Sequence, residues 1–169
     1  MAKRVITKIG DIFSVPINEK EKKYMQLIAF DLAQLNSDTI RAFKRIYSID
    51  ENPSKEEIIN DKIDFYAHCV TKFGIKLNLW EQIGNSLNIG NIKDPIFKST
   101  DDYGYKENEQ PVKVSYNWYV WRINDKNRTK VGRLEGENRN AEIGLIVNPY
   151  DILDRIKTGQ YNFFYPDFE

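Results

Sequence analysis

A chain of 169 residues with 25 basic and 25 acidic side chains carries no net field toward nucleic acid or an anionic membrane. Its apolar share of 41 % and aromatic share of 13 % exclude disorder. Cys69 is the only cysteine, so no intrachain disulfide can form, and no apolar run approaches the roughly 20 residues of a membrane helix. A single domain over residues 1–169 is therefore expected, burying about 70 % of its extended surface. Residues 1–8 are basic but lack the apolar run of a secretory signal. A cytoplasmic location follows by elimination.

Phe13, Val15 and Ile17 alternate within residues 10–17, predicting a first strand. Residues 18–22 form a polar turn, and 24–30 return as a nearly all-apolar strand. Residues 39–47 read as a third strand, with Ile40, Ala42 and Ile46 on one side and Arg41, Phe43, Arg45 and Tyr47 on the other. An acidic stretch, 50–64, follows with six acids against two bases. Within it Ser54-Lys55-Glu56-Glu57 has the spacing of a capping box and predicts a short helix through Ile58 and Ile59. Residues 63–70 read as another strand. Leu77, Trp80 and Ile83 recur every three residues before Gly84, which predicts one or two helical turns.

Residues 84–112 are the least regular stretch, broken by Gly84, Gly90, Pro95, Gly104 and Pro111. Residues 115–123 have bulky side chains on both faces, Trp118 and Val120 against Tyr119, Trp121 and Ile123. Such a strand belongs inside a sheet. Asn124-Asp125-Lys126-Asn127 breaks it, and 129–134 resume it as a hairpin. Residues 143–147 supply a further apolar strand. Asn148 can cap a helix with Pro149 at its first position, Ile152, Leu153 and Ile156 on one face, and Gly159 at its end. The aromatic tail 161–166 should pack back on the body. The whole predicts an α+β fold: a twisted, mainly antiparallel, partly rolled sheet of about five to seven strands, with two or three short helices including a C-terminal one.

Chemistry is hard to find in this sequence. His68 is the only histidine, and Cys69 beside it points to the opposite face of a strand, so the two cannot readily form a nucleophile–base pair or share an ion. One His and one Cys do not make a zinc site. Phosphate-loop, dinucleotide and hydrolase-elbow motifs are missing, and 125–136 begins like a calcium loop but puts Lys130 where the turn glycine belongs. No catalytic residue, metal or cofactor is expected. Two constellations remain. Arg41, Phe43, Arg45 and Tyr47 interleave cations and aromatics as a single-strand nucleic-acid platform does, or as the basic stems of an edge strand do. Asp50, Glu51, Glu56, Glu57, Asp61 and Asp64 read either as a solvated helix face or as a docking patch for a basic partner. Asp101, Asp102, Glu107 and Glu109 could extend the patch, with Tyr103 and Tyr105 as aromatic anchors.

The run Lys8-Ile9-Gly10-Asp11-Ile12-Phe13-Ser14-Val15-Pro16 resembles the opening of the bacterial Immunity protein 26 family. Residues 148–161 are similar to that family's C-terminal helix and its Gly-x-Tyr exit, and the strand with Trp118 and Trp121 is similar in placement. The resemblance implies a cytoplasmic antidote from a polymorphic-toxin or contact-dependent inhibition system that binds and blocks a cognate toxin protein domain, often a nuclease, and it carries no catalytic residues. On charge and composition, no nucleic acid and no membrane partner is expected. Gly10-Asp11-Ile12-Phe13 also resembles the first strand of SH3-like barrels of the PemK/MazF ribonuclease type, which keeps an RNA binder or ribonuclease as the alternative.

Overall fold

The computed structural model describes residues 3–169. Its first strand, β1 (Asp11–Pro16), turns through a loop held by Asn18, whose side-chain oxygen accepts from Lys20 N and whose amide donates to Glu21. The chain returns as β2 (Glu21–Asp31), then β3 (Ser37–Phe43) and the short β4 (Tyr47–Ser48). Helix α1 (Lys55–Ile59) leads into β5 (Ile63–His68), helix α2 (Thr71–Lys76) and β6 (Glu81–Asn85). These strands make one antiparallel sheet in the order β5-β3-β2-β1-β6, with β4 joined to β2.

A second sheet follows: β7 (Ile96–Thr100), β8 (Trp118–Arg122), β9 (Thr129–Gly132) and β10 (Glu142–Ile143), in the order β10-β7-β8-β9. Only β10 runs parallel to its neighbour. Helix α3 (Pro149–Thr158) closes the chain's regular structure. The fold is α+β, and neither sheet closes into a barrel.

Alternation along the strands decides what each face meets. Phe13, Val15, Met25, Leu27, Ile40, Ala42, Phe65 and Ala67 lie on one face of the first sheet, packed beneath Ile152 and Ile156 of α3. The opposite face is shared. One part carries Ile12, Tyr24, Phe43 and Tyr47 under Ile58 of α1. The other, at Ile28 and Ala29, receives Phe97, Trp121 and Ile123 from the second sheet. On that sheet's far side Trp118, Val120 and Leu134 are covered by Tyr165 and Phe168. The aromatic tail therefore packs back as expected, fixed by Ser115 N donating to Asp167 O at 2.8 Å and Asp167 N to Lys113 O at 2.8 Å. Residues 142–147 tie the sheets together: Gly144 N donates to Lys98 O, and Val147 N to His68 O, both at 2.8 Å.

Several expectations need correction. Among the described residues, ten strands in two sheets replace five to seven in one. The stretch 39–47 is not one strand, because it breaks at Lys44-Arg45-Ile46 before β4 rejoins the same partner, β2, at Glu21 and Lys22, and β3 lies inside the sheet and not at its edge. Residues 77–84 are not helical. Helix α2 ends before them, Leu77 is exposed, and from Glu81 the chain pairs with β1. Threefold spacing misled there because Trp80 reaches back onto its own helix, at Gly74, rather than along a continuing one. The irregular stretch 84–112 contains β7, and the apolar run 143–147 contributes ladder pairing only at its start and a single bridge from Ile146 to His68. The inner position of β8, the hairpin to β9, the capping box at Ser54 and Glu57, and the Asn148 cap with Gly159 at the far end are all as expected.

Candidate functional site

The acidic stretch 50–64 surrounds α1, whose single buried residue, Ile58, fastens it to the first sheet. Its six acids have different employments. Glu57 closes the capping box, accepting from Ser54 N while its own N–H donates to Ser54 Oγ at 3.2 Å. Asp61 accepts from the backbone of Arg45 and of Lys62, both at 2.7 Å. Glu51 accepts from Ser48 N at 2.9 Å, and its carbonyl takes Lys22 Nζ, a buried ammonium also bonded to Ile49 O. Asp64 stands 4.0 Å from Lys23 Nζ. Asp50 and Glu56 are exposed, and their side chains make no hydrogen bond or ion pair among the described residues. The fold thus uses four of the six and leaves two uncommitted.

The second acidic group belongs to the other sheet. Asp102 accepts from Ser115 Oγ at 2.7 Å and Asn117 Nδ2 at 3.1 Å, and these bonds hold its carboxyl below the usual carboxylate range. Tyr103 stacks on Tyr165 with ring centres 4.7 Å apart, and Asp101 accepts from Tyr119 at 3.2 Å. Tyr105, Glu107 and Glu109 project into solvent. The two groups are anchored on different sheets, the first by Ile58 and the second by Ser115 and Tyr165.

Between the sheets lies a feature the sequence did not suggest. A wedge of about 260 Å³ opens where β5 and the start of β7 part, lined by Asp64, Tyr66, Asp94 and Glu142. Asn140 and Glu142 are also in the wall of a larger pocket of about 450 Å³, lined by Lys98, Arg139, Arg155, Tyr161 and Tyr165. The two pockets therefore share a wall, the smaller lined by acids and the larger mainly by bases. Glu142 stands at the junction, held by Arg155 through two hydrogen bonds of 2.7 and 3.2 Å. Burial disfavours the charge on Arg155, but Glu142 more than compensates and holds the guanidinium protonated. Sequence reading could not find this pair, because thirteen residues and a change of element separate its partners. Among the described residues no group of His, Cys, Asp and Glu could hold a metal ion.

The sequence's reactive candidates are enclosed. His68 is fully buried, its Nε2 2.9 Å from Asp31 Oδ2, with its ring edge on Phe97. Burial would raise the Asp31 carboxyl, but hydrogen bonds from His68, Asn124 N and Gln34 N bring it below its ordinary value. Cys69 is buried on the opposite face, and burial pushes its thiol far up, out of the thiolate range. The cation–aromatic strand is no nucleic-acid platform. Arg41, Phe43 and Tyr47 are all buried, and Arg41 spends its donors on Gln26 Oε1 and Asn88 O, both at 2.9 Å.

No helix among the described residues is long and apolar enough to cross a membrane. No curated protein and no solved structure matches the chain. The model of one protein family does match, over residues 8–109, which takes in β1 to β7 and the acidic stretch but stops short of the Trp-rich strand and α3. On that match, which covers more than half of its length, the chain belongs to the Immunity protein 26 family.

Proposed function

We propose that residues 1–169 act as one immunity domain that neutralises a cognate toxin domain by occluding its working surface, stoichiometrically and without catalysis. Family membership carries the general statement, an immunity protein against a polymorphic toxin. The finer reading rests on the exposed acids around α1, which suit a toxin whose own groove is basic, as a nuclease's must be to hold phosphates. Asp50 and Glu56 are its leading contacts because the fold makes no other use of them. Glu51, Glu57, Asp61, Asp64, Asp101, Asp102, Tyr103 and Tyr105 are placed around them as secondary contacts. Toxin and antidote would meet in the cytoplasm. The ribonuclease-barrel alternative loses its footing, since the sheets stay open and the arginine–aromatic strand is interior.

The test is to purify the chain with the toxin domain encoded beside it and follow association by stopped flow. Asp50→Lys with Glu56→Lys should leave the melting temperature unchanged, slow association about tenfold at low salt, and flatten its salt dependence. An unchanged rate and affinity would remove the acidic stretch from the interface. Failure of the wild-type pair to form a complex would remove the antidote reading itself.

A further inference from the structure

The larger, basic pocket contains a charge that lacks an acceptor. Pairing of β7 with β8 and β10 carries Lys98 between the sheet and the tail. Its ammonium lies 5.5 Å from the ring centre of Trp118 and 4.9 Å from that of Phe168, and donates no hydrogen bond among the described residues. The two carboxylates that act on it through space are already employed. Glu142 holds Arg155, and Asp167 accepts from Phe168 N at 2.8 Å. Burial pulls the Lys98 ammonium below its ordinary value, the response of a cation short of solvation.

Arg139 stands in the same wall. One of its terminal nitrogens donates to both carboxylate oxygens of Glu169, each at 2.7 Å. The partners are 46 % and 62 % exposed, so this is a solvent-screened surface pair, open to competition. The remaining Arg139 nitrogens make no bond among the described residues. Around these cations the wall is phenolic. Tyr165 is pushed up to about 12 by burial and by Tyr103, so its hydroxyl stays a neutral donor. At about 450 Å³ the space exceeds what a bare ion needs and suits an anionic group carried on a small organic body.

We propose that this pocket receives one oxyanionic group, a carboxylate or a phosphoryl, whose oxygens take Lys98 Nζ and the guanidinium of Arg139 in place of Glu169. Charge-assisted bonds to two cations, one of them partly desolvated, give such a group what bulk chloride cannot. Glu169 then acts as a resident competitor from the protein's own tail. This site stands apart from the antidote reading and survives that reading's failure.

The experiment uses the full chain, with acetate and inorganic phosphate titrated at fixed ionic strength against chloride. Lysine side-chain resonances and the melting temperature are followed together. The expected result is a saturable shift of the Lys98 signals with either anion and a rise in melting temperature at saturation. The stronger of the two identifies carboxylate or phosphoryl as the native group. Lys98→Met, whose stem can keep the aromatic packing, should abolish the rise in melting temperature, and Arg139→Gln should weaken binding about tenfold. Glu169→Gln should tighten it by up to about fivefold, the equivalent of the lost surface pair. Arg139 and Glu169 are exposed enough that both variants will fold even if Lys98→Met does not. No saturation in either salt, an equal shift with chloride, or an affinity indifferent to both Arg139→Gln and Glu169→Gln would overturn the proposal.

Discussion

Gly74 offers a test in which local propensity and tertiary packing give opposite signs. It lies within α2, where Gly→Ala ordinarily stabilises by about 1 kcal/mol. Here a β-carbon would overlap Cε2 and Cζ2 of Trp80 and come within 2.5 Å of Cη2. The indole cannot withdraw cheaply. Trp80 is 3 % exposed, belongs to the main core, and donates from Nε1 to Thr71 O at 3.0 Å. Overpacking of this kind costs about 1–3 kcal/mol, and a buried indole N–H left without its acceptor adds about 1–3 more. Set against the propensity gain, Gly74→Ala should destabilise by about 1–5 kcal/mol. Urea unfolding followed by tryptophan fluorescence and far-UV dichroism measures it. The decisive control is the same substitution in a Trp80→Leu background, where the clash is gone and Ala should be neutral or stabilising. A wild-type-background gain, or equal effects in both backgrounds, would refute the packing of Trp80 on α2 as described.

Other outcomes follow from the same geometry. Asp31 has a depressed folded-state value, so its contribution is in place above the unfolded carboxylate range of about 4 and is lost as pH falls through the lower folded value. Acid titration of stability should show that loss below about pH 4, and Asp31→Asn should lower stability at pH 7 while flattening the acid limb. Glu142→Gln leaves Arg155 partly buried without its counter-charge and should cost about 3 kcal/mol by chemical denaturation, recoverable in part by Arg155→Met. Asn148→Ala removes the acceptor for Tyr150 N and should cost about 1 kcal/mol, read as a lower melting temperature.

What the sequence disclosed divides by range. Signals completed within a few residues were legible: the capping box at Ser54 and Glu57, the Asn148–Pro149 start and Gly159 stop of α3, and the alternation of β1 and β8. Features that need two distant segments were not. The second sheet was invisible as such because β10 has only two residues and pairs in parallel across a gap of 45 positions. Arg41 looked like a surface cation because its acceptors, Gln26 and Asn88, lie 15 and 47 residues away. The pocket around Lys98 draws its walls from β7, the turn before β10, α3 and the tail, so no window of sequence contains it.

The zero net charge of the chain is no objection to electrostatic docking, since screening decides how much of the molecule a partner feels. At physiological salt the decay length is about 8 Å, shorter than the span of either sheet, so an approaching cationic surface responds to the nearest patch and not to the total. The stretch 50–64 supplies such a patch, with six acids against two bases. Its strength is limited, because Lys22 lies bonded beneath it and Lys23 stands beside Asp64. Steering of about one decade in rate, and not the two or three available to unbalanced clefts, is therefore what the geometry can deliver. The tightness demanded of an antidote must then come from slow dissociation, through desolvated contacts at the centre of the interface. Reversing Asp50 and Glu56 should accordingly change how fast the complex forms much more than how long it lasts.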